Sequence, residues 1–362
     1  MMFRLSLYQR YLIRETFASV FLVLAAFLAL FAFFNFIDEL RSVGKAGYTV
    51  FHAAIFVALG MPGLIYELIP IATLIGALYA LSTLARHSEI TVLRASGLAT
   101  GDLLKTLFRA AFLLALLTFV IGEAVVPVSE RLGREIRAKA LSAVIAQSGF
   151  DSGLWVKDGR SFINIRTATP DAPLQGVRIY KFSNENRLES VTDARQAEFE
   201  MPDLWHLQDV VRTVLDGDQA RVESSASGEW RSNVTPTLLA ALMVSPERMS
   251  LLGLWNYTKH LSDNKQKTER YQIALWKKVV YPLAALVMVA LALPFGYSHN
   301  RVGGVSLKIF AGVMLGILFY ALNGLSSNLG AINSWSPLLS AVAPSALFLV
   351  VATGMLWWVE RR

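Results

Sequence analysis

Cysteine is absent from the 362-residue chain, which excludes a disulfide framework, a thiolate metal site and a cysteine nucleophile. No Gly-x-x-x-x-Gly-Lys-Ser/Thr loop occurs, so the chain lacks the phosphate cradle of a P-loop ATPase. His-Glu-x-x-His is missing and the five histidines are dispersed, which argues against metalloprotease chemistry. Serine is plentiful, yet no Gly-x-Ser-x-Gly elbow presents one as a nucleophile. Charge is scarce as well: 17% of residues are charged against 54% hydrophobic, too apolar for an ordinary soluble enzyme. The formal charge of +7 forms no nucleic-acid-binding block. Its basic residues are scattered beside apolar runs, as membrane orientation requires.

Six runs are long enough to cross a bilayer, by the measure of about 20 apolar residues per helix. They lie near Phe17–Ile37, Leu64–Ala85, Leu103–Val126, Ile273–Phe295, Leu307–Leu325 and Leu338–Val359. The apolar stretch Val50–Met61 either lengthens the second span or precedes it as an interfacial helix broken at Pro62 and Gly63. The lead-in "FRLSLYQRYLIRE" reads as an interfacial helix, with Leu5, Leu7, Tyr8, Tyr11 and Leu12 toward lipid and Arg4, Arg10 and Arg14 toward head groups. One side of the membrane collects Arg86, Arg94, Lys105, Arg109, Arg301, Lys308, Arg361 and Arg362 with those N-terminal arginines. The short loops of the other side hold only Arg41 and Lys45, so both termini are expected in the cytoplasm.

Between the third and fourth spans the composition turns polar. Alternating stretches such as "GLWVKDGRSFINIRT", "GVRIYKFS" and "WHLQDVVRTVL", divided by "KDG", "SNEN", "MPD" and "LDGD", predict one antiparallel β domain of jelly-roll or sandwich kind on the outer side. The expected fold class is therefore an α-helical membrane protein with six transmembrane helices and an inserted periplasmic antiparallel β jelly-roll domain. Residues 1–127 carry the interfacial helix and spans one to three, 128–270 the β domain, and 271–362 spans four to six. Three spans, an external domain and three spans suggest a transport or export machine. A membrane-tethered sensor and an intramembrane hydrolase are the competing classes. The hydrolase needs a polar pair at matching depth, and its acidic candidates, Glu67 and Glu123, are expected near the outer interface.

The loop "LARHSEITVLRASGLATGDLL" between the second and third spans carries a short helix. Ser88 is expected as its N-cap, Glu89 in the first turn where the helix dipole favours it, and Gly97 at C′. Ile90 and Leu93 share one side, while Glu89 and Arg94 project elsewhere. Periodicity alone also fits a plain cytoplasmic connector.

"RHSEITVLRASGL", following "IPIATLIGALYALSTLA", closely resembles the coupling-helix region of the LptF/LptG family, the permease subunits of the lipopolysaccharide-export ABC transporter. "IGEAVVP", "GLWVKDG", "IYKFSNENRLESV", "SGEWRSNVTPTLL" and "RYQIALWKKVVYPL" extend the resemblance over most of the chain and favour the LptG branch. The resemblance implies that this chain is half of a heterodimeric permease. Its implied partners are an LptF-like permease, a dimer of LptB-like ATPases and an LptC-like membrane-anchored bridge protein. ATP hydrolysis is then expected in the separate ATPase, with no cofactor on this chain, and the location implied is the inner membrane of a Gram-negative bacterium. Ser88, Glu89, Ile90, Leu93 and Arg94 become the helix that docks in the ATPase. The function implied is extraction of lipopolysaccharide and its transfer to a periplasmic bridge.

Similarity also matches Arg134 and Arg137, three residues apart on the extension of the third span, to basic residues implicated in substrate binding. Guanidinium groups fork onto phosphate oxygens such as those of lipid A. The alternative is interface snorkelling, or pairing with Glu130 and Glu135. At the outer end of the first span, "NFIDELRSVGK" departs from the family pattern. Asn35 and Ser42 stand where relatives carry lysine, leaving Arg41 or Lys45 to contact phosphate. Phe27, Phe31, Phe34, Leu68 and Ile317 are candidates to line an acyl-chain cavity. Gly312 to Gly316, "GVMLG", permits a close helix approach, with the partner subunit as the candidate neighbour.

Overall fold

A computed structural model describes residues 6–45, 47–145, 153–167, 173–185, 187–200, 203–216, 219–236, 238–239, 246–264, 266–297 and 305–361. Six helical segments within it have the length and apolarity to cross a membrane.

Helix α1, Leu7–Leu40, opens on Ser6, whose backbone N–H donates to Gln9 Oε1 at 3.1 Å in a capping box. The basic lead-in is thus not a separate interfacial helix. It continues into the first span without a break, and Leu12 is fully buried in the main core cluster. Helix α2 runs from Val50 to Arg86 and includes both Pro62 and Pro70, so Val50–Met61 lengthens the second span. Proline is tolerated here because neighbouring helices cover the weakened turns. Of the residues in α2's most apolar window 83% are buried, against 17% in α1, which makes α2 the axis of the bundle.

Helix α3, Glu89–Ala95, fills the loop to α4, Thr100–Val120. A π-turn, Ile121–Val125, joins α4 to α5, Val126–Ile145, so the third span continues past residue 127 as one rod. At the π-turn, a Cβ on Gly122 would lie 2.5 Å from the Tyr66 ring, so only glycine allows this approach of α2.

The inserted domain is a six-stranded antiparallel sheet: β1 Leu154–Asp158, β2 Ser161–Thr167, β3 Leu174–Phe182, β4 Leu188–Glu200, β5 Leu204–Asp216 and β6 Gln219–Arg231. Each strand pairs with its sequence neighbour, so the described strands form a meander rather than the crossed connections of a Greek key. Ile163, Ile165, Val177, Trp205 and Leu207 pack on one face. Helix α6, Leu251–Asp263, covers them with Leu254, Tyr257 and Leu261. Ser250 caps α6, accepting the Gly253 N–H at 3.1 Å. Burial, and Tyr271 beside it, raise the Tyr257 hydroxyl pKa well above its ordinary value.

Helix α7, Glu269–Val280, leads through a 3₁₀ turn at Tyr281–Leu283 into α8, Ala284–Tyr297. Helices α9, Val305–Ile332, and α10, Pro337–Glu360, complete the bundle. The Gly312–Gly316 pair packs on this chain's own α2, not on a partner subunit. Added Cβ atoms would sit 2.4 Å from Leu78 Cδ1 and 2.7 Å from Ile71 Cγ2.

Candidate functional site

Chain connectivity places α3 at one end of the bundle and the β domain at the other, because the α4–α5 rod lies between them. Ile90 is 6% exposed and joins Leu12, Leu84 and Leu103 in the main cluster, which seats α3 on the ends of α1, α2 and α4. Gly97, at φ +95°, ends the helix as expected. The Leu98 N–H donates to the Leu93 carbonyl at 3.0 Å, the closing bond of a Schellman motif. The other end differs from expectation. Ser88 holds φ +60°, the left-handed region, rather than the extended backbone of an N-capping serine. The tight reversal after α2 forces that conformation, since the Ser88 N–H still donates to Ala85 O at 3.1 Å.

Glu89 and Leu93 are half-buried, and the Arg94 side chain lies outside the described residues. Tyr11 of α1 lies beside the Glu89 carboxylate. Val92, which sequence reasoning passed over, is 65% exposed and gives α3 an apolar contact surface. The only sequence signal for it is its position two residues after buried Ile90, on another face of a short helix.

At the opposite end, charged side chains tie the elements together. Arg137 Nε lies 2.9 Å from Glu39 Oε1 of α1, off the line of a directed hydrogen bond, and its guanidinium carbon sits 5.0 Å from the Phe56 ring centroid. Tyr48 donates its hydroxyl to the same Glu39 oxygen at 2.9 Å. Burial, then Glu39 itself, holds the Tyr48 pKa well above its usual range, so the hydroxyl remains a donor. Arg134 pairs with Glu130 at 3.4 Å, and Arg248, just before α6, closes on the other oxygen of the same carboxylate. Glu135 pairs instead with Lys139.

The elements that carry the two sets of basic candidates therefore meet, Arg137 of α5 pairing with Glu39 of α1, two residues before Arg41. A cavity of about 240 Å³ is lined by Asn35, Asp38, Glu39, Phe56, Glu130 and Arg248. Arg41 contacts Asp38 at 3.5 Å with both side chains largely in solvent, and Lys45 is exposed nearby in sequence. Glu123 caps α6, accepting the Leu251 N–H at 2.9 and 3.1 Å, and stands 3.8 Å from Lys278 of α7. That role joins the third span to the β domain and leaves Glu123 engaged rather than poised for acid–base work.

Among the apolar candidates, Phe31, Phe34 and Ile317 lie at the surface of the bundle, 38%, 54% and 56% exposed. Leu68 does not. It is buried with Val20, Leu24 and Leu114 inside this chain's own core, and Phe27 packs partly against that cluster. A helix that is apolar all round gives no sequence signal for which face turns inward.

The family model for the lipopolysaccharide export system permease LptF/LptG matches residues 10–360. The chain is 32% identical over 355 residues to the lipopolysaccharide export system permease protein LptG of Escherichia coli strain K12, covering 98% of both chains. Identity to LptG of Haemophilus influenzae is 31% over 354 residues, again covering 98% of each. LptF of E. coli K12 is more distant, 23% identical over 370 residues, with 96% of this chain and 94% of that protein covered. A permease fold of six spans around an inserted antiparallel domain, matched from end to end, places this chain in the LptF/LptG family of lipopolysaccharide export permeases.

Proposed function

We propose that the chain works as the LptG-type half of a lipopolysaccharide export permease, paired with an LptF-type subunit. The observation that carries this reading is the end-to-end match to LptG at higher identity than to LptF. The membrane is the inner membrane of a Gram-negative bacterium, with both termini and α3 in the cytoplasm and the β domain in the periplasm. The distribution of Lys and Arg supports that orientation. So does the packing of Tyr8 and Leu12 in the cluster that holds Ile90, which sets the start of the chain on the side of α3.

A separate LptB-type ATPase dimer supplies hydrolysis and docks on α3 through Glu89, Val92, Leu93 and Arg94. The seating of Ile90 against α1, α2 and α4 gives ATPase closure a rigid path into three spans at once. An LptC-type anchored protein continues the route through its periplasmic domain.

Arg134 and Arg137 receive lipid A phosphates, with Arg41 and Lys45 at the rim. Both arginines rest on carboxylates in this structure, so phosphate binding is an exchange of partners. Phe31, Phe34 and Ile317 offer exposed apolar surface to acyl chains. The chain then passes its substrate outward along the β domain.

The test is transport by purified complex in proteoliposomes. Glu89→Lys reverses the charge beside the helix start and is expected to keep assembly with the sister permease while lowering lipid transfer per ATP at least severalfold. Parental transfer per ATP would reduce α3 to a connector. Arg134→Ala/Arg137→Ala removes two charge-assisted contacts, each of the kind worth about 1.5–3 kcal/mol, and is expected to lower co-purified lipopolysaccharide with the complex intact. Undiminished lipid would make both residues interface anchors.

A further inference from the structure

A second cavity, of about 300 Å³, lies between α2, the α7 end of the fourth span and α9. Its walls include Tyr66, Glu67, Lys277, Tyr281 and Tyr320. Its depth is set by its neighbours. Lys278, which also faces it, stands beside Glu123, the carboxylate that caps α6. The Tyr281 hydroxyl donates to the Glu67 backbone carbonyl at 2.6 Å, which pins the 3₁₀ turn to α2 at that level. The cavity is therefore at the membrane surface where the spans meet the inserted domain, the height of lipid head groups.

Two of the charges in its lining differ from those around them. Glu123 has Lys278 and a backbone amide, and Glu130 has Arg248 and Arg134. Glu67 and Lys277 share the lining with Glu247 and Arg270, which pair at 4.0 Å. Glu67 is drawn first to Arg248 and then to Lys277, and Lys277 first to Glu247 and then to Glu67, yet among the described residues neither Glu67 nor Lys277 makes a direct ion pair. Opposite charges held apart in a partly desolvated cavity fit a ligand that carries both signs. The walls fit the same ligand. Tyr66 and Tyr281 rings lie 5.3 Å apart, and aromatic faces beside a carboxylate are a recognised environment for an ammonium group. At the mouth Tyr320 is 57% exposed, and below it Ile317, Met314 and Phe310 follow at helical spacing on the exposed side of α9. That stripe runs from head-group height into the bilayer, the path of an acyl chain.

We propose that this cavity holds the head group of a zwitterionic phospholipid with a primary amine. The ammonium sits by Glu67 and the tyrosines, the phosphate on Lys277, and one acyl chain along α9. Ile317 borders both this lipid and the acyl surface proposed for the substrate. The site itself rests only on the membrane span assignment, and its test uses no transport step.

The full-length chain, purified with its associated subunits and stripped of lipid in detergent, is incubated with vesicles of equal phosphatidylethanolamine and phosphatidylglycerol. Retained lipid is then counted by native mass spectrometry. The parent is expected to keep phosphatidylethanolamine over phosphatidylglycerol by roughly tenfold, the scale of one charge-assisted contact. The near-isosteric Glu67→Gln is expected to abolish the preference, and Lys277→Gln to lower retention of both lipids. Tyr320→Leu, at an exposed position that folding tolerates, is expected to lower phosphatidylethanolamine severalfold. Equal retention of the two lipids by the parent overturns the proposal, as does an unchanged preference in Glu67→Gln or Tyr320→Leu. An arm with lipopolysaccharide bearing phosphoethanolamine separates the two sources of this head group. Its displacing the phospholipid at equal concentration would overturn the phospholipid assignment.

Discussion

The two ends of the helical bundle are built on different forces. At the α3 end, Ile90, Leu12, Leu84 and Leu103 meet through apolar packing. At the β-domain end, Glu39, Glu123 and Glu130 tie α1, the third span, α6 and α7 through carboxylates. Apolar contact is non-directional and insensitive to salt, so the α3 end can carry load from any side without losing its grip. Ion pairs depend on geometry and on competing charges, so the other end can be reorganised by a charged ligand. The roles proposed above, force taken at one end and phosphate bound at the other, need this division.

The largest effect is expected from Ile90→Ala. Removing a 6% exposed side chain from the cluster should cost about 2–4 kcal/mol at the α3 seat. Hydrogen exchange of α3 and of the start of α1 should accelerate together, with equal loss at low and high salt. Strong salt dependence would erase the contrast between the ends. Next, Glu130→Gln leaves Arg134 and Arg248 without their shared carboxylate. Both arginines are about a third exposed, so screening reduces the loss to about 1–3 kcal/mol, measurable as a lowered melting temperature that added salt partly hides. Glu39→Gln keeps an acceptor for the Tyr48 hydroxyl but loses the charge facing Arg137, itself 41% exposed, for about 0.5–1 kcal/mol in the same assay. The smallest effect has the opposite sign. Ser88→Gly relieves a left-handed backbone at some cost in chain entropy, a net gain of about 0.5 kcal/mol read as slower exchange in α3. A loss there would restore Ser88 as a true cap.

What the sequence revealed divides along similar lines. The six spans were legible because membrane thickness sets a length that composition can meet. Gly97 was legible because a positive φ at a helix end selects glycine. Ser88 was not, since serine's preference for caps says nothing of a backbone bent by the turn before it. Helix α6 is hidden in the sequence because "LLGLWNYTKHLSD", although it follows β6, falls inside the polar stretch 128–270 that reads as one β domain; its buried Leu254, Tyr257 and Leu261 keep helical spacing. Leu68 was misplaced for lack of polar residues to mark a face. The joining of Arg137 to Glu39 needed the fold itself, since nearly a hundred residues separate them.

The π-turn at Ile121–Val125 has a consequence of phase. An α-helix turns 100° per residue, and a π-turn accommodates about one residue more than an α-helical turn does. Beyond it the pattern of α5 is offset against that of α4. The face that α4 presents to α8 therefore does not continue along the rod, and α5 turns toward α2 instead, carrying Arg137 to Phe56 and Glu39. Deleting one residue from the turn would bring the rod back into step and swing both arginines about a quarter of a revolution away from the carboxylates that now receive them. The aim of Arg134 and Arg137 is thus encoded in one surplus residue about ten positions before them.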